Sequence, residues 1–428
     1  MRKFNFDIDD WTGGNTLSKS MGDAVGASLT KYSFVIYTSK IRTISFKVMN
    51  LSDIYIDWGD GTNDTIKGND TDYMPFHFRH DYADGELKER KISVLIKYGN
   101  GRTSHISYIR RNPEDAHITN YEILHGIDGV VHENFTYINT YDPKHRAMNV
   151  SVSNFINTLM ANSIVIGNCI TNLDISDSVK EIYGGAINTE TIYNIKLPKE
   201  CKLNQYSFYS FRGYSLRPTQ LEIPVCGVLP RYLCSNSEYI NFIIPSNIKA
   251  ISSRCFSSCV LERGFKIPSN IEVIEDEAFT RATFRDDLVI PGNVKEIKQS
   301  AFSYAHTNSI TIEEGVERIG MYAFQHTNFK SGKIVLPDSL VYLEECAFAD
   351  NKDLINIKFG KGLKVIKPFT FSGTPLIGKV IIPANIMRIE YNAFANCGRL
   401  KELHIPYHTK LASDGIFDAE DKIKIIRY

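Results

Sequence analysis

The sequence predicts a mainly β protein in which a small sheet domain precedes a long repeat solenoid. Three observations carry that prediction. Phenylalanine returns at a nearly constant spacing: Phe256, Phe279, Phe302, Phe324, Phe348, Phe371, Phe394 and Phe417 are 23, 23, 22, 24, 23, 23 and 23 residues apart. Proline keeps the same beat at Pro245, Pro268, Pro291, Pro337, Pro383 and Pro406, with Glu314 and Gly360 in the two beats that lack it. Ahead of the repeats, residues 33–98 hold short runs of β-branched and aromatic residues separated by turn formers. Two markers locked to one period over so many copies are the signature of a stacked repeat.

Composition narrows the function classes. Lysine plus arginine equal aspartate plus glutamate at 49 each, so the basic excess of a nucleic-acid binder is missing and no nucleic-acid partner is expected. The chain is 43% hydrophobic and rich in tyrosine and phenylalanine, which excludes a disordered protein. No run of 18 apolar residues occurs, so no membrane span is expected. Met1-Arg2-Lys3 is not followed by an apolar stretch, so no secretory leader is expected either.

Residues 1–32 carry Gly13, Gly14, Gly22 and Gly26 with no sustained periodicity, and read as an irregular arm. Such an arm needs something to lie against, its own domain or a neighbouring subunit. Its stretch from Gly13 to Ser20 approaches a phosphate-binding loop but lacks the glycine before Lys19 and a preceding strand, so no cofactor is expected there.

Residues 33–37, 43–49, 54–57, 76–80 and 91–98 read as strands. Among them stand Asp57-Trp58-Gly59-Asp60-Gly61-Thr62 and then Phe76-His77-Phe78-Arg79-His80-Asp81-Tyr82, followed by the alternating Ile92-Ser93-Val94-Leu95-Ile96. This order resembles a PKD domain, which implies an immunoglobulin-like β-sandwich over 33–108 with Trp58 as its core plug. The glycines permit positive φ in a tight turn and Asp60 can accept backbone donors within it. Asp57, Asp60 and Asp64 also raise a calcium-tolerant loop as an alternative to a plain turn, although Gly68 stands where an EF-hand needs glutamate. His77 and His80 are three apart in a strand and so point to opposite faces, which prevents joint chelation.

Residues 109–163 read as a β-rich connector and solenoid cap, with turns at Asn112-Pro113 and Asp142-Pro143 and a strand at 135–138. Within it, Phe155, Ile156, Leu159 and Met160 suit one face of a short helix over 153–160. The solenoid is expected over 164–428, with degenerate copies marked by Ile187, Phe208 and Leu233 capping its open end.

In one unit, Ile357 and Phe359 flank an outward Lys358 as in a short strand, Leu363 and Ile366 follow, and Phe371 closes the turn. No single unit buries its apolar face alone; stacking makes the phenylalanines a continuous interior row. Fragments such as Ile267-Pro268-Ser269-Asn270-Ile271-Glu272-Val273-Ile274, then Ala278-Phe279, resemble the BspA-type leucine-rich repeats, over about residues 190–417. The resemblance implies a right-handed solenoid with a parallel sheet along one face, and a surface protein that binds proteins, host matrix or other cells and is not an enzyme.

Slots of the repeat absorb most residues that suggest chemistry. Cys259 and Cys397 occupy the position held elsewhere by Ala282, Ala305, Thr327 and Thr374, and Cys255 stands where other copies carry Ala278, Ala301, Ala323, Ala347 and Ala393. Reduced core thiols are expected, with a disulfide or metal as the alternative. Glu313-Glu314 and Glu344-Glu345 fall in repeat turns and read as solvated, and His404 and His408 straddle Pro406. No G-x-S-x-G, no H-E-x-x-H and no zinc-ribbon cysteine pair occurs, so no catalytic residue, metal or cofactor is expected.

The outward strand position is the candidate binding stripe: Ile243, Lys266, Val289, Thr311, Val335, Lys358, Ile381 and His404. It reads either as a β-branched ladder that favours the sheet or as a partly apolar recognition surface. The expected function is non-enzymatic recognition or adhesion, with a protein or host-surface ligand on the solenoid and neighbouring subunits on the arm. An outside setting without a leader suggests a phage virion, with a bacterial cell-surface adhesin as the alternative.

Overall fold

The computed structural model describes residues 29–37, 43–49, 53–66, 75–81, 89–97, 105–110, 117–125, 130–131, 135–139 and 148–428, except 162, 210, 214–218 and 419–421. The arm up to residue 28, with its Gly13 to Ser20 loop, and the turns at Asn112-Pro113 and Asp142-Pro143 lie outside the described residues. The described residues are β-strands and turns with no α-helix. Contacts divide the chain into two units, Met1–Pro198 and Lys199–Tyr428.

The first unit begins with β1 (Leu29–Tyr37), β2 (Thr43–Met49), β3 (Asp53–Asp57), β4 (Asn63–Ile66), β5 (Pro75–Asp81), β6 (Glu89–Lys97) and β7 (His105–Arg110). It continues with β8 (His117–His125), β9 (Val130–Val131), β10 (Phe135–Asn139), β11 (Met148–Val152), β12 (Thr158–Leu159), β13 (Ile164–Ile175), β14 (Glu181–Ile182) and β15 (Ile187–Lys196). The strands expected at 33–37, 43–49, 54–57, 76–80, 91–98 and 135–138 fall on β1, β2, β3, β5, β6 and β10. β4, β3, β6 and β1 pair antiparallel in that order, as do β5, β2 and β7. Ile56, Ile92, Val94 and Trp58 are buried in this part, the strand members on one face of the pleat.

Those antiparallel groups join one hydrogen-bonded path through β8, β11, β13 and β10. The pairing establishes a β unit; it does not establish the two facing sheets of an immunoglobulin-like sandwich, and the PKD-like assignment rests on the sequence. From β11 onward the pairing is parallel at the repeat period: Val150 pairs with Leu173, and Leu173 with Ile195. A ladder of asparagine amides follows the same register, Asn172 Nδ2 donating to Asn149 Oδ1 at 2.7 Å and Asn194 Nδ2 to Asn172 Oδ1 at 3.0 Å.

The helix expected over 153–160 is absent. Ile156 N donates to Ser153 O at 3.2 Å in a tight turn, and Thr158–Leu159 is β12, paired with β14 and β9. Ile156 and Leu159 are buried while Phe155 is 50% exposed. A three-residue step in so short a stretch fits a repeat turn as well as a helix, and one helical turn is unstable without tertiary support.

The second unit is the regular solenoid. The turns build up to three parallel ladders, illustrated by Leu288–Ile290 on Ile310–Ile312, Glu296–Ile297 on Arg318–Ile319, and Thr283 on His306. Between the second and third ladder the chain reverses around a buried phenylalanine. Phe256, Phe279, Phe302, Phe324, Phe348, Phe371 and Phe394 stack with successive centroids 5.4, 5.1, 5.2, 5.1, 5.9 and 5.5 Å apart and planes within 22°. Each ring residue's N–H donates to the residue before the next ring, for example Phe302 N to Ala323 O at 2.8 Å.

That bond identifies the slots at the row's ends. Cys234 N donates to Cys255 O at 2.9 Å, so Cys234 occupies a ring position, and Leu233, expected there, takes the small-residue slot before it. Phe242, with its centroid 5.3 Å from Phe256, covers the exposed end of the row. At the other end Phe417 is half-buried and Ile416 is buried. Proline closes the first ladder: its carbonyl accepts from the residue three further on, as in Val294 N to Pro291 O at 3.0 Å, and its missing N–H ends the strand. Where Gly360 replaces it, a Cβ would lie 2.0 Å from Pro337 O, so no larger residue fits.

The reversal around each ring has a cost that the sequence hides. The residues two before and two after the ring have positive φ: Arg254 and Ser258 at 56° and 57°, Glu277 and Arg281 at 56° and 58°, Ser300 and Tyr304 at 53° and 58°. Only Asn236, His326, Asp350, Asn392, Asn396 and Gly373 are residue types that favour this conformation. Such strain is of order 1–3 kcal/mol per residue and persists only where the surroundings over-determine it. From Tyr232 to Asn392 the strained N–H groups that flank the ring slots are held by the next turn, as in Ser258 N to Thr280 O at 2.8 Å and Arg281 N to Ser303 O at 2.9 Å.

Truncating a central ring should therefore be severe. Phe302→Ala is expected to destabilise the solenoid by about 3–5 kcal/mol, and Phe417→Ala by clearly less, with thermal and urea melts as the measurement. Asn396→Val, which puts a β-branched residue at φ 58°, is expected to cost about 1–3 kcal/mol, whereas Asp350→Asn should be neutral or stabilising in the same melts.

Candidate functional site

The strand column is displayed on the first ladder. Ile243, Lys266, Val289, Thr311, Val335, Lys358 and Ile381 are exposed, Val335 and Ile381 by 57% and 53%, and His404 is half-buried. The residues on either side of each point inward, as with the buried Leu288 and Ile290 around Val289. Register joins Val289 to Thr311, Val335 to Lys358, and Ile381 to His404. Lys266 is not in a strand: there Phe265 turns into the core, 5.7 Å from Phe256 and 6.1 Å from Phe279, and interrupts the ladder. His404 Nε2 lies 2.9 Å from Glu402 Oε2, and this contact holds the Glu402 carboxyl below its usual range.

A second surface follows from the strained reversals, and nothing in the sequence reading points to it. With two left-handed residues flanking every ring, side chains at three positions line a groove of about 560 Å³ along the repeats. One wall is Tyr206, Tyr232, Arg254, Glu277, Ser300 and Tyr322, two residues before each ring slot. The floor is Tyr209, Ser235, Ser257, Thr280, Ser303 and Gln325, one residue after it. The other wall carries Asn236, Ser258, Arg281 and Tyr304.

Electrostatically the groove is nearly balanced. Arg254 forms a two-pronged pair with Glu277, Nε to Oε2 at 2.8 Å and Nη2 to Oε1 at 2.6 Å, and Nη1 donates to Tyr232 Oη. Glu277 first and Tyr232 second raise the guanidinium above its already high range. Tyr206 stacks on Tyr232 at 4.9 Å, and Asn236 Nδ2 donates to Tyr209 Oη at 2.6 Å. Arg281 sits 5.7 Å from the Tyr304 ring centroid, and Tyr304 stacks on His326 at 4.5 Å.

The remaining candidates resolve into structure. Asp57 Oδ1 accepts from Gly59 N at 2.9 Å, Asp60 Oδ1 from Thr62 N at 3.0 Å, and Asp64 Oδ2 from Trp58 Nε1 at 2.9 Å, the bonding of a turn. His80 stacks on the buried Trp58 at 4.8 Å and lies 2.8 Å from Asp60 Oδ2. Burial opposes ionisation of Asp60, but the bonds from Thr62 and His80 outweigh it and hold its carboxyl below the usual range. The paired acids are more than solvated: Glu314 accepts from Asp338 N at 2.8 Å and Ser339 N at 3.1 Å, and Glu344 pairs with Arg318 at 2.7 Å. His408 Nε2 lies 2.8 Å from Ala384 O, tying adjacent turns.

Cys201, Cys226, Cys234, Cys255, Cys259 and Cys397 are buried free thiols, and Cys346 is a half-buried one. Those three residues after a ring slot do more than fill space. Cys259 Sγ donates to Cys234 O at 2.8 Å and Cys397 Sγ to Phe371 O at 3.3 Å, as Thr327 Oγ1 does to Phe302 O at 2.8 Å. Each caps the carbonyl of the preceding ring slot. Burial raises the Cys226 thiol to about 11 and pushes Cys234 and Cys259 well above the ordinary thiol range. Among the described residues no group of three or more His, Cys, Asp or Glu is placed to hold a metal, and no helix is long and apolar enough to cross a membrane.

Residues 139–220, 219–330 and 319–428 match the family of BspA type leucine rich repeat regions, in six copies. Solved structures with a similar trace include a leucine-rich repeat protein from Bacteroides ovatus, 13% identical, with 77% of this chain and 97% of that one covered at a TM-score of 0.47. A leucine-rich repeat protein from Eubacterium ventriosum is 16% identical over 77% and 91% of the two chains, TM-score 0.38. A leucine rich cell surface protein from Faecalibacterium prausnitzii is 15% identical over 78% and 92%, TM-score 0.34. No curated protein matches the sequence.

The thiol environments set an order of reactivity. With a water-soluble maleimide on the native protein, Cys346 is expected to react ahead of Cys234, Cys255 and Cys259, which should be labelled only after denaturation; peptide mass mapping reads the order.

Proposed function

The chain belongs to the BspA-type leucine-rich repeat family, and on that premise we propose that it is a non-enzymatic recognition or adhesion protein displayed on a bacterial cell surface. Its ligand is a host protein or matrix component held on the first ladder of the solenoid. The observation that carries this reading is the exposed strand column: Val335 and Ile381, 57% and 53% exposed, stand on a rigid parallel ladder beside Lys358 and Lys379. Apolar side chains fixed by the ladder and rimmed by cations form a contact surface with little ordering entropy left to lose. The chemistry of the thiols is compatible with an oxidising exterior, since buried cysteines with raised pKa values expose little thiolate. The virion location expected from the sequence has no support in the family match, and the cell-surface alternative takes its place. Neighbouring subunits on the N-terminal arm remain part of the proposal, tested by deleting residues 1–28 and measuring assembly.

Charge at the column tests the reading. The double variant Val335→Glu and Ile381→Glu is expected to lose at least tenfold in binding to host epithelial cells and immobilised matrix proteins, with an unchanged melt. Undiminished binding by a folded double variant would sink it. Antibody labelling of intact source cells checks the location.

A further inference from the structure

We propose that the groove beside the phenylalanine row binds a linear acidic oligosaccharide, laid along the solenoid with its sugar hydroxyls on the serine-rich floor and an acid group at Arg281. This goes beyond the adhesion reading: it uses another surface and another chemical class of ligand.

The first argument is internal to the repeat. Packing requires the ring slot and the small residue before it, and these are kept in every regular turn. The three groove positions are not required by packing, because the last turns fill them differently. There the floor is Ala349, Ser372 and Ala395, and the walls carry Cys346, Asp350, Phe369, Gly373, Asn392 and Asn396. Tyrosine at these positions is confined to the turns from Tyr206 to Tyr322, and beyond Gln325 they carry a single hydroxyl, on Ser372. Tyrosine at positive φ, as at Tyr206, Tyr304 and Tyr322 with φ 64°, 58° and 57°, is a costly choice where asparagine would serve the backbone better. Strain retained at such positions points to use.

The second argument is hydrogen-bond capacity. Ser303 is only 5% exposed, lines the groove, and its hydroxyl has no partner among the described residues. The side chains of Ser257, Ser258, Ser300 and Gln325 and the phenol of Tyr304 likewise face the groove without one. A ligand dense in hydroxyls satisfies such a row, and turns spaced at about 4.8 Å present donors at a step comparable to that of linked pyranose rings.

The third argument is charge. Glu277 neutralises Arg254, while Arg281 has no carboxylate partner among the described residues and stands over Tyr304. A uronate, sialate or sulfate supplies the missing anion. An extended peptide is the poorer occupant. The backbone N–H groups that flank the groove already donate to the next turn, as in Tyr304 N to Gln325 O at 2.9 Å, leaving no edge for strand addition.

Other turns also supply variants that the fold accepts: Ser303→Ala follows Ala349, Tyr304→Asn follows Asn396, and Arg281→Ser follows Ser258. The full chain is applied to an array of neutral, uronate, sialylated and sulfated oligosaccharides, and the best acidic probe is measured by calorimetry. Binding to acidic chains is expected, weakened about tenfold or more by Ser303→Ala and by Tyr304→Asn with melts unchanged. Arg281→Ser should erase the preference for acidic over neutral chains and flatten the salt dependence. No binding on the array, binding indifferent to these folded variants, or a groove that captures peptides from a peptide array instead would overturn the proposal. Val335 and Ile381 are untouched throughout, so failure here leaves the strand-column reading standing, and the converse holds.

Discussion

The structure depends on one constraint, that each turn from Phe256 to Phe394 must wrap a planar ring stacked about 5 Å from its neighbours. The ring spacing is close to the spacing of hydrogen-bonded strands, so one repeat length serves both the aromatic row and the ladders. Closing the backbone around the ring forces two left-handed residues per turn, and the ladder bonds of those residues to the next turn hold them there. Ring, ladder and strained corner are mutually dependent, which is how a row of individually marginal units becomes one cooperative body.

That constraint separates slots from columns. The ring slot, the small residue before it and the carbonyl cap three residues after it are set by packing, whether the cap is Thr327, Cys259 or Cys397. The outward strand position and the corner positions are free of that duty and can differ from turn to turn. Both surfaces assigned to recognition are of this kind. They also differ in character. The strand column is flat, aliphatic and cationic; the groove is concave, hydroxyl-lined and nearly neutral. A single scaffold thus offers a protein-like contact face and a polyol-like one.

The N-terminal unit shows the limits of motif reading. Trp58, the aspartates around it and His80 are organised as a self-contained turn in which every carboxylate has a local donor, which is why the loop reads as structure and not as a metal site. The strands were legible because alternation of apolar residues is a local property. Their order, one path running from β4 to β5 through the first parallel strands, was not, because pairing partners lie far apart in the chain. The same holds for 153–160, where a three-residue step served a turn and a short strand instead of a helix.

By itself the sequence determined the repeat, its period, the interior phenylalanine row, the small-residue slots and the outward column, since each is a periodic burial pattern that neighbouring residues impose. It also placed Cys255, Cys259 and Cys397 in those slots. Tertiary structure alone decided that Cys234 sits in a ring position, that the acids and thiols cap neighbouring turns, and that the corners are left-handed. Residues such as Ser300, Glu277 and Tyr304 carry no local preference for positive φ; they adopt it because the turns above and below leave no other path around the ring. The groove exists for the same reason, since its walls and floor come from residues over twenty positions apart that only stacking brings side by side.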